Sequence, residues 1–217
     1  MAIQPTQIES GKSERFFFDA SWRAGREAER CLGCFDAPCM AACPTHINVP
    51  QFIGRIRSQN LDGAYETLVS ANALPAICGL VCPTEQLCEG SCVITQLEGR
   101  PVHIAALQYH VCHMAQTAIQ PAASAGAPGR VAVVGSGPAG LACAITLRRL
   151  GHSVDLFDRH ARLGGLVSYS IPNYRLPDSA VEAELARLED GGIGLHLNTS
   201  IDSKLLQELL ARYDAVF

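Results

Sequence analysis

The sequence contains little that would suit a nucleic-acid or membrane partner. Its 17 Lys and Arg residues are outnumbered by 21 Asp and Glu residues, which gives a formal charge of -4, and no basic run or aromatic-interleaved basic patch occurs. The longest apolar stretch, 131–147, is interrupted by three glycines and a proline, which argues against a membrane span. We therefore expect neither nucleic acid nor a membrane as a partner.

The first residues, MAIQPTQIESGKSERFFF, also lack a secretory leader, because no cationic segment is followed by an apolar one. This absence predicts a reducing, cytoplasmic location. The sequence is not poor in cysteine: it has ten in 217 residues. In a reducing compartment, that number indicates metal ligation or redox chemistry rather than a disulfide framework.

The composition predicts two domains. Eight cysteines lie between Cys31 and Cys92, among helical patterns at 20–30, 50–58, 61–71 and 102–117. Asn48 and Asn60 are the start signals of the second and third of these helices. The composition then changes to Ala, Pro and Gly in AIQPAASAGAPG. We expect an all-helical domain at 1–118 and a linker at 119–129.

The region 130–217 alternates between strand and helix patterns. Apolar, β-branched runs at 130–134 and 153–157 flank a glycine turn and a helix, which predicts a parallel βαβ sheet. Further patterns predict a helix at 179–189 capped by Asp178, a strand at 193–197 and a helix at 203–212 capped by Asp202. The last three residues read as a strand that begins and is cut off. We therefore expect a partial α/β Rossmann-like domain from a longer protein.

The cysteines form two groups with similar layouts. The first is Cys31-x2-Cys34-x4-Cys39-x3-Cys43-Pro44, which is close to a ferredoxin-type cluster-binding run. The second is Cys78-x3-Cys82-Pro83-x4-Cys88-x3-Cys92. Soft thiolates suit zinc as well as iron–sulfur clusters, but closed zinc sites usually show paired C-x2-C spacings, and only Cys31 and Cys34 have that spacing. The pattern favours iron–sulfur over zinc.

A dinucleotide motif follows the first predicted strand. Gly135, Gly137 and Gly140 form a G-x-G-x-x-G pattern at a strand-to-helix turn, where the glycines allow a tight turn, close approach of a diphosphate and close helix packing. Asp158 closes the second strand, where an acidic side chain accepts a hydrogen bond from a ribose hydroxyl. The motif does not separate FAD from NAD, and Asp158 disfavours the 2′-phosphate of NADP.

With these residues laid out, the chain resembles the flavoprotein electron-input family that includes dihydropyrimidine dehydrogenase and the small subunit of bacterial glutamate synthase. The resemblance runs from about residue 23 to residue 217. Four blocks carry it: ERCLGCFDAPCMAACPTHINVPQFI, NALPAICGLVCPTEQLCEGSC, VAVVGSGPAGLACA and LGGLVSYSIPNYRLP. It implies an all-helical domain with two [4Fe–4S] clusters, followed by an FAD-binding domain.

The resemblance also implies the cluster ligands. One cluster would be held by Cys31, Cys34, Cys39 and Cys92, and the other by Cys43, Cys82, Cys88 and Gln108. Gln108 lies in Ile104-Ala-Ala-Leu-Gln108, which is similar to the stretch that supplies a glutamine ligand in dihydropyrimidine dehydrogenases. Counting thiols alone instead favours Cys78, one helical turn from Cys82. We favour Gln108, and the two interpretations conflict.

For the flavin, the resemblance implies contacts in two loops and at two further residues. They are Gly135, Ser136, Gly137, Pro138, Ala139, Gly140, Asp158, Gly164, Gly165, Leu166 and Arg175. Relatives often have Glu where this chain has Asp158, and the guanidinium of Arg175 would stabilise a reduced, anionic flavin.

The resemblance implies a function for the full-length protein. It would move electrons from NAD(P)H through FAD and the two clusters to a partner catalytic subunit or domain, with pyrimidine reduction the favoured outcome and glutamate synthase the alternative. This chain alone lacks the NAD(P)H-binding part, so we expect it to be inactive, or to act only as a cofactor-holding and docking module.

Overall fold

The computed structural model describes residues 23–115, 129–189 and 192–217. These residues form two compact units. The first comprises 23–71 and 75–115, and the second comprises 72–74, 129–189 and 192–217. The predicted domain boundary at residue 118 and all of the predicted linker except Gly129 lie outside the described residues.

Helices make up the regular structure of the first unit, and no strand occurs within residues 23–115. The helices are α1 (Ala24–Glu29), α2 (Pro38–Ala41), α3 (Val49–Arg57), α4 (Leu61–Ala71), α5 (Pro75–Val81), α6 (Thr95–Glu98) and α7 (Ile104–Met114), with a 3₁₀ turn at Thr84–Gln86. The sequence pattern predicts α1, α3, α4 and α7. It does not predict α2, α5 or α6, because helices of 4–7 residues show too little periodicity to be recognised.

Asparagine side chains begin two of these helices, as the sequence predicts. The side chain of Asn48 accepts a hydrogen bond from the backbone N–H of Gln51 at 3.1 Å, at the start of α3. The side chain of Asn60 accepts one from the N–H of Gly63 at 2.8 Å, at the start of α4. Each bond satisfies a backbone donor that has no partner within its helix.

The hydrophobic core of the first unit lies between α3, α4 and α7. Phe52, Ile53, Leu68, Leu107 and Val111 are all completely buried there. Five half-buried cysteines pack against this core: Cys31, Cys39, Cys43, Cys88 and Cys92. The core therefore forms a rigid base beneath most of the predicted ligands.

Helices α5 and α7 pack unusually close together because of Gly79. A Cβ atom at this position would lie 3.1 Å from the carbonyl oxygen of Ala105 and 3.3 Å from the backbone nitrogen of Tyr109. The close contact holds the segment with Cys78 and Cys82 beside α7, the helix that carries Gln108.

The second unit is built on a four-stranded parallel sheet. Its strands are β1 (Arg130–Val134), β2 (Ser153–Phe157), β3 (Gly194–His196) and β4 (Ala215–Val216), in the order β3-β2-β1-β4. The helices between them are α8 (Pro138–Arg149), α9 (Leu166–Tyr169), α10 (Asp178–Glu189) and α11 (Ser203–Arg212). This confirms the predicted strands and the predicted βαβ connection. The strand order reverses direction at β1, which opens a crevice at the carboxyl ends of the strands.

Two local features of the second unit follow from single residues. The side chain of Asp202 accepts a hydrogen bond from the N–H of Leu205 at 2.8 Å, and this confirms Asp202 as the cap of α11. A Cβ atom on Gly140 would lie 1.8 Å from the carbonyl oxygen of Gly135, so only glycine allows α8 to pack this closely on β1.

No single helix of the described residues has the length and apolar character to cross a membrane. Helices α4 and α5 reach that length and apolar character only when they are taken together, and their axes are bent by 82°.

Candidate functional sites

Four predicted ligands from two distant segments line one cavity in the first unit. Cys31, Cys34, Cys39 and Cys92 line a small cavity of about 20 Å³. The rest of the wall is mainly apolar and comprises Leu32, Pro38, Val49, Pro50, Ile53, Val93, Ile94, Val102 and Ile104. The structure thus brings together the whole first ligand set that the resemblance implies.

Local backbone geometry presents three of these thiols to the cavity. Cys31 follows α1 directly, and Gly33, with a φ of +64°, turns the chain so that Cys34 lines the same space. This is a left-handed conformation that suits glycine. Cys39 lies in the short helix α2. Cys92 joins them from the loop before α6.

The thiols influence each other electrostatically. Burial raises the pKa of the Cys31 thiol; the backbone N–H of Gly33 opposes this rise, and Cys92 and Cys34 add to it. Burial raises the pKa of the Cys39 thiol to about 11, with further contributions from Cys31 and Cys92. Thiolates this close in apolar surroundings are unfavourable unless a cation neutralises them, as iron or zinc does.

An ion-pair network holds the segment with Cys92 against the end of α1. The guanidinium of Arg30 donates to Glu27 at 2.6 Å and to Glu98 at 2.8 Å. It also donates to the carbonyl oxygens of Pro101 at 2.8 Å and Arg100 at 2.9 Å. Arg30 therefore ties the segment 98–101 to α1, on which Cys31 directly follows.

The same network reaches the first turn of α7. The side chain of Glu27 is buried and accepts a hydrogen bond from the backbone N–H of His103 at 2.8 Å. His103 is the residue before α7. A carboxylate at this end of a helix is stabilised by the free N–H groups and the helix dipole.

The second predicted ligand set lies around α5, α7 and the loop between Cys88 and Cys92. Burial raises the pKa of the Cys88 thiol to about 12, with contributions from Glu89 and then from Cys43 and Cys39. Cys43 and Cys39, which come from a different segment, therefore both lie within electrostatic range of Cys88. Cys82 directly follows α5, and Gln108 lies on α7, which packs closely on α5.

Glu89 connects this loop to α7, much as Glu27 connects α1 to it. Its carboxylate accepts hydrogen bonds from the hydroxyl of Thr84 at 3.0 Å and from the backbone N–H of Ala105 at 2.9 Å. The loop is tight, since a Cβ on Gly90 would lie 2.0 Å from the carbonyl oxygen of Glu85. Two carboxylates, each next to a cysteine segment, thus hold the start of α7.

The structure places both candidates for the last ligand on the packed pair α5 and α7. Gln108 is buried, and its side-chain nitrogen donates to the carbonyl oxygen of Pro75 at 2.6 Å. The side-chain oxygen of Gln108 therefore lies on the side of the amide away from this hydrogen bond. It is through its oxygen that an amide ligates a metal. Cys78 lies on α5, one turn before Cys82, and is half-buried.

The cysteines form no disulfides with one another. All ten cysteines lie within the described residues, and all are free thiols. No group of three His, Cys, Asp or Glu side chains is arranged to hold one metal ion in the described parts of the chain.

The second unit has a cleft of about 360 Å³ at the carboxyl ends of β1 and β2. Three predicted residues, Gly135, Asp158 and Gly165, line this cleft. Gly135 has a φ of +104°, as the tight turn of the motif requires. No atom lies within 4 Å of where a Cβ on Gly137 would stand, so the backbone there is open to a ligand.

Ser136 connects the two glycine loops beneath this cleft. It is completely buried, and its carbonyl oxygen accepts a hydrogen bond from the N–H of Gly164 at 2.9 Å. A Cβ on Gly165 would lie 2.8 Å from the Cα of Gly137. The predicted second contact loop, 164–166, therefore packs directly on the first.

Asp158 is buried and ionised. Burial raises its pKa, but hydrogen bonds from Ser136 and His160 outweigh this effect and lower the pKa to about 2. The site therefore carries a fixed negative charge near neutral pH.

Sequence reasoning missed several residues of the cleft. They are Val134, Phe157, Arg159, His160, Thr199, Ser200 and Ile201. All lie at or just after the carboxyl end of a parallel strand, where ligands bind in open α/β sheets, so the predicted strand ends were the signal that could have found them.

Three other predicted residues lie elsewhere in the second unit. Pro138 and Ala139 begin α8, and Arg175 lies in a turn after α9 in which its N–H donates to the carbonyl oxygen of Pro172.

The fold and the sites define a class: a cysteine-rich helical unit is followed by a parallel-sheet unit with a glycine loop. Residues 8–119 match the family described as dihydropyrimidine dehydrogenase domain II, 4Fe–4S cluster. Residues 133–199 match the NAD(P)-binding Rossmann-like domain. The chain belongs to the dihydropyrimidine dehydrogenase domain II family, with a 4Fe–4S domain followed by a Rossmann-like domain.

Curated relatives agree with this assignment. The chain is 39% identical over 194 residues to the NAD-dependent dihydropyrimidine dehydrogenase subunit PreT of Escherichia coli K12, a match that covers 88% of this chain and 47% of the relative. It is 37% identical over 198 residues to the glutamate synthase [NADPH] small chain of Azospirillum brasilense, covering 89% and 41%. The chain thus spans about half the length of the curated relatives it matches.

We predict that Arg30→Ala loosens the first unit. The substitution leaves the buried carboxylate of Glu27 without its main partner and releases the segment 98–101. Breaking a buried ion pair costs about 3–5 kcal/mol. Arg100 also lies 3.8 Å from Glu27, so we expect a smaller loss, on the order of 2 kcal/mol, in the free energy of unfolding. Urea unfolding followed by circular dichroism measures it.

Arg26→Ala is the matched control, because Arg26 lies on the same helix and is exposed. It should leave the unfolding midpoint almost unchanged. Equal midpoints for the Arg30 and Arg26 variants would contradict the role given to the network.

Proposed function

We propose that this chain is the electron-input part of an NAD(P)H-dependent flavin iron–sulfur oxidoreductase. The observation that carries the proposal is the cavity lined by Cys31, Cys34, Cys39 and Cys92 in a chain that also has a glycine-loop cleft. When bound, FAD takes a hydride from NAD(P)H, and two [4Fe–4S] clusters pass single electrons to a partner catalytic subunit or domain.

The residues of the first unit divide into two ligand sets in this proposal. Cys31, Cys34, Cys39 and Cys92 hold the first cluster, and Cys43, Cys82, Cys88 and Gln108 hold the second. The first set is supported by the shared cavity. The second is supported by the electrostatic interaction of Cys43 with Cys88 and by the link from Glu89 to α7. Cys78 is the alternative to Gln108.

The second unit holds FAD in this proposal. The two packed loops, 135–140 and 164–166, form the wall for the diphosphate, whose charge suits the free N–H groups at the start of α8. The fixed charge of Asp158 disfavours a 2′-phosphate. Arg175 would lie near the flavin and would stabilise its reduced, anionic form. In this proposal the helical iron–sulfur domain comprises 1–118, the linker 119–129 and the first part of the FAD-binding domain 130–217, and the protein is cytoplasmic.

The favoured reaction of the partner is reduction of a pyrimidine base. PreT is named as a dihydropyrimidine dehydrogenase subunit, and the glutamine at position 108 also supports this branch of the family. The alternative is electron supply to glutamate synthase, which the relative of that name supports. We expect the chain by itself to be inactive, since it spans only about half the length of the relatives it matches.

We predict that the chain, purified without oxygen, is brown and contains about eight iron atoms, four for each cluster. Its visible absorption should bleach when dithionite is added, because the clusters accept electrons. Iron analysis and absorption spectroscopy check both points. A colourless protein with stoichiometric zinc would end the electron-transfer proposal.

The last ligand can be identified with two matched variants. We predict that Gln108→Ala changes the EPR signal of the reduced second cluster, because the iron at that corner loses its oxygen ligand. Cys78→Ala on the same helix pair should leave the signal as it is. The assignment is refuted by an unchanged signal in Gln108→Ala together with a changed one in Cys78→Ala.

The full-length protein tests the partner's reaction. Together with its catalytic partner, it should catalyse reduction of uracil or thymine at the expense of NAD(P)H, and each component alone should not. Spectroscopic assay of NAD(P)H consumption measures this. Consumption that requires 2-oxoglutarate and glutamine instead of a pyrimidine would establish the glutamate synthase alternative.

A further inference from the structure

We propose that the negative charge of Glu89 lowers the reduction potential of the second cluster and has a much smaller effect on the first. The inference rests on the proposed function, which assigns Cys88 to the second ligand set. It goes beyond the structural role of Glu89, whose hydrogen bonds link the loop after Cys88 to α7.

The two carboxylates that hold the start of α7 differ in their partners. Glu27 forms an ion pair with Arg30 at 2.6 Å, so a cation compensates its charge. Glu89 instead accepts hydrogen bonds from two uncharged donors, the hydroxyl of Thr84 at 3.0 Å and the N–H of Ala105 at 2.9 Å. In the part of the chain that the structure describes, no cationic side chain forms an ion pair with Glu89. Its charge is therefore uncompensated by these residues.

The hydrogen bonds of Glu89 suit an ionised side chain in a fixed position. Each side-chain oxygen accepts one bond, Oε2 from Thr84 and Oε1 from Ala105, as a carboxylate does. The backbone is fixed as well, because the carbonyl oxygen of the buried Thr84 accepts from the N–H groups of Glu89 at 2.9 Å and Gly90 at 3.0 Å. The charge is therefore held directly after Cys88.

Glu89 acts unequally on the two ligand sets. Burial is the main cause of the raised pKa of Cys88, and the charge of Glu89 is the next largest, although the backbone N–H of Glu89 opposes the rise. In the first set, burial again raises the pKa of Cys39, and the charges that add to it are those of the thiols Cys31 and Cys92. The carboxylate is thus closely coupled to the second set.

A fixed charge of this kind acts on the redox state of a cluster. Reduction adds one electron, and the potential of an iron–sulfur cluster depends on its net charge and its surroundings. A negative charge on a half-buried side chain repels that electron more strongly than an exposed charge does, because less water screens it. Glu89 therefore stabilises the oxidised second cluster and biases a shared electron towards the first.

The test is a redox titration of the 217-residue chain, purified without oxygen and followed by EPR. Cys88→Ser identifies the signal of the second cluster, because it changes a ligand of that cluster and none of the first. Glu89→Gln removes the charge, while the amide can still accept from Ala105 and donate to Thr84. Glu85→Gln is the matched control, since it removes the same charge from an exposed side chain of the same loop.

Glu89→Gln should raise the midpoint potential of the second cluster and leave that of the first in place. At a fixed applied potential, the ratio of reduced to oxidised second cluster should rise about tenfold, which corresponds to about 59 mV for one electron. Glu85→Gln should change this ratio by less than about twofold, because water screens its charge. Thr84→Val removes a donor but keeps the charge of Glu89, so the midpoint should not rise.

The inference is overturned if Glu89→Gln leaves the second midpoint in place, shifts both midpoints equally, or raises the second no more than Glu85→Gln does. Equal increases in Glu89→Gln and Thr84→Val, or loss of the second cluster from Glu89→Gln, would leave Glu89 only its structural role and overturn the inference too. An unmodified chain without two reducible clusters instead overturns the proposed function on which the inference rests.

Discussion

The start of α7 is the point on which the first unit depends. Two buried or half-buried carboxylates, Glu27 and Glu89, accept hydrogen bonds from the backbone of His103 and Ala105, and each comes from a segment that carries cysteines. Arg30 adds bonds to Glu98 and to two carbonyl oxygens. Thiols that are far apart in the chain therefore face one cavity.

Holding these thiols close together in the first unit carries an electrostatic cost. Burial raises the pKa of Cys31, Cys39 and Cys88, so forming thiolates at these positions is unfavourable unless a cation neutralises them, and metal binding is linked to the loss of the thiol protons. The scaffold of α3, α4 and α7 keeps the thiols together despite that cost. The second unit uses a related device, since the charge of Asp158 is stabilised by hydrogen bonds from Ser136 and His160.

The sequence predicted the parts of this structure that depend on local patterns. Asn48, Asn60 and Asp202 predict the starts of helices because a short polar side chain can satisfy free backbone N–H groups. The apolar, β-branched runs and the glycine motif with Gly140 predict the βαβ unit. The links through Arg30 and Glu89 could not be predicted, because their partners lie up to 71 residues away in the chain and no local pattern marks them. The conflict between Cys78 and Gln108 has the same origin, since both lie on the closely packed pair α5 and α7.

X-ray absorption at the iron edge, recorded on the chain purified without oxygen, tests the central claim most directly. The account predicts iron bound mainly by sulfur, with a second shell of scattering from neighbouring iron atoms, as a cubane requires. Its ligand count should also include a minor oxygen contribution if Gln108 ligates the second cluster. The account is contradicted if iron shows no neighbouring iron, or if the cysteines instead bind zinc through four sulfurs at about 2.3 Å.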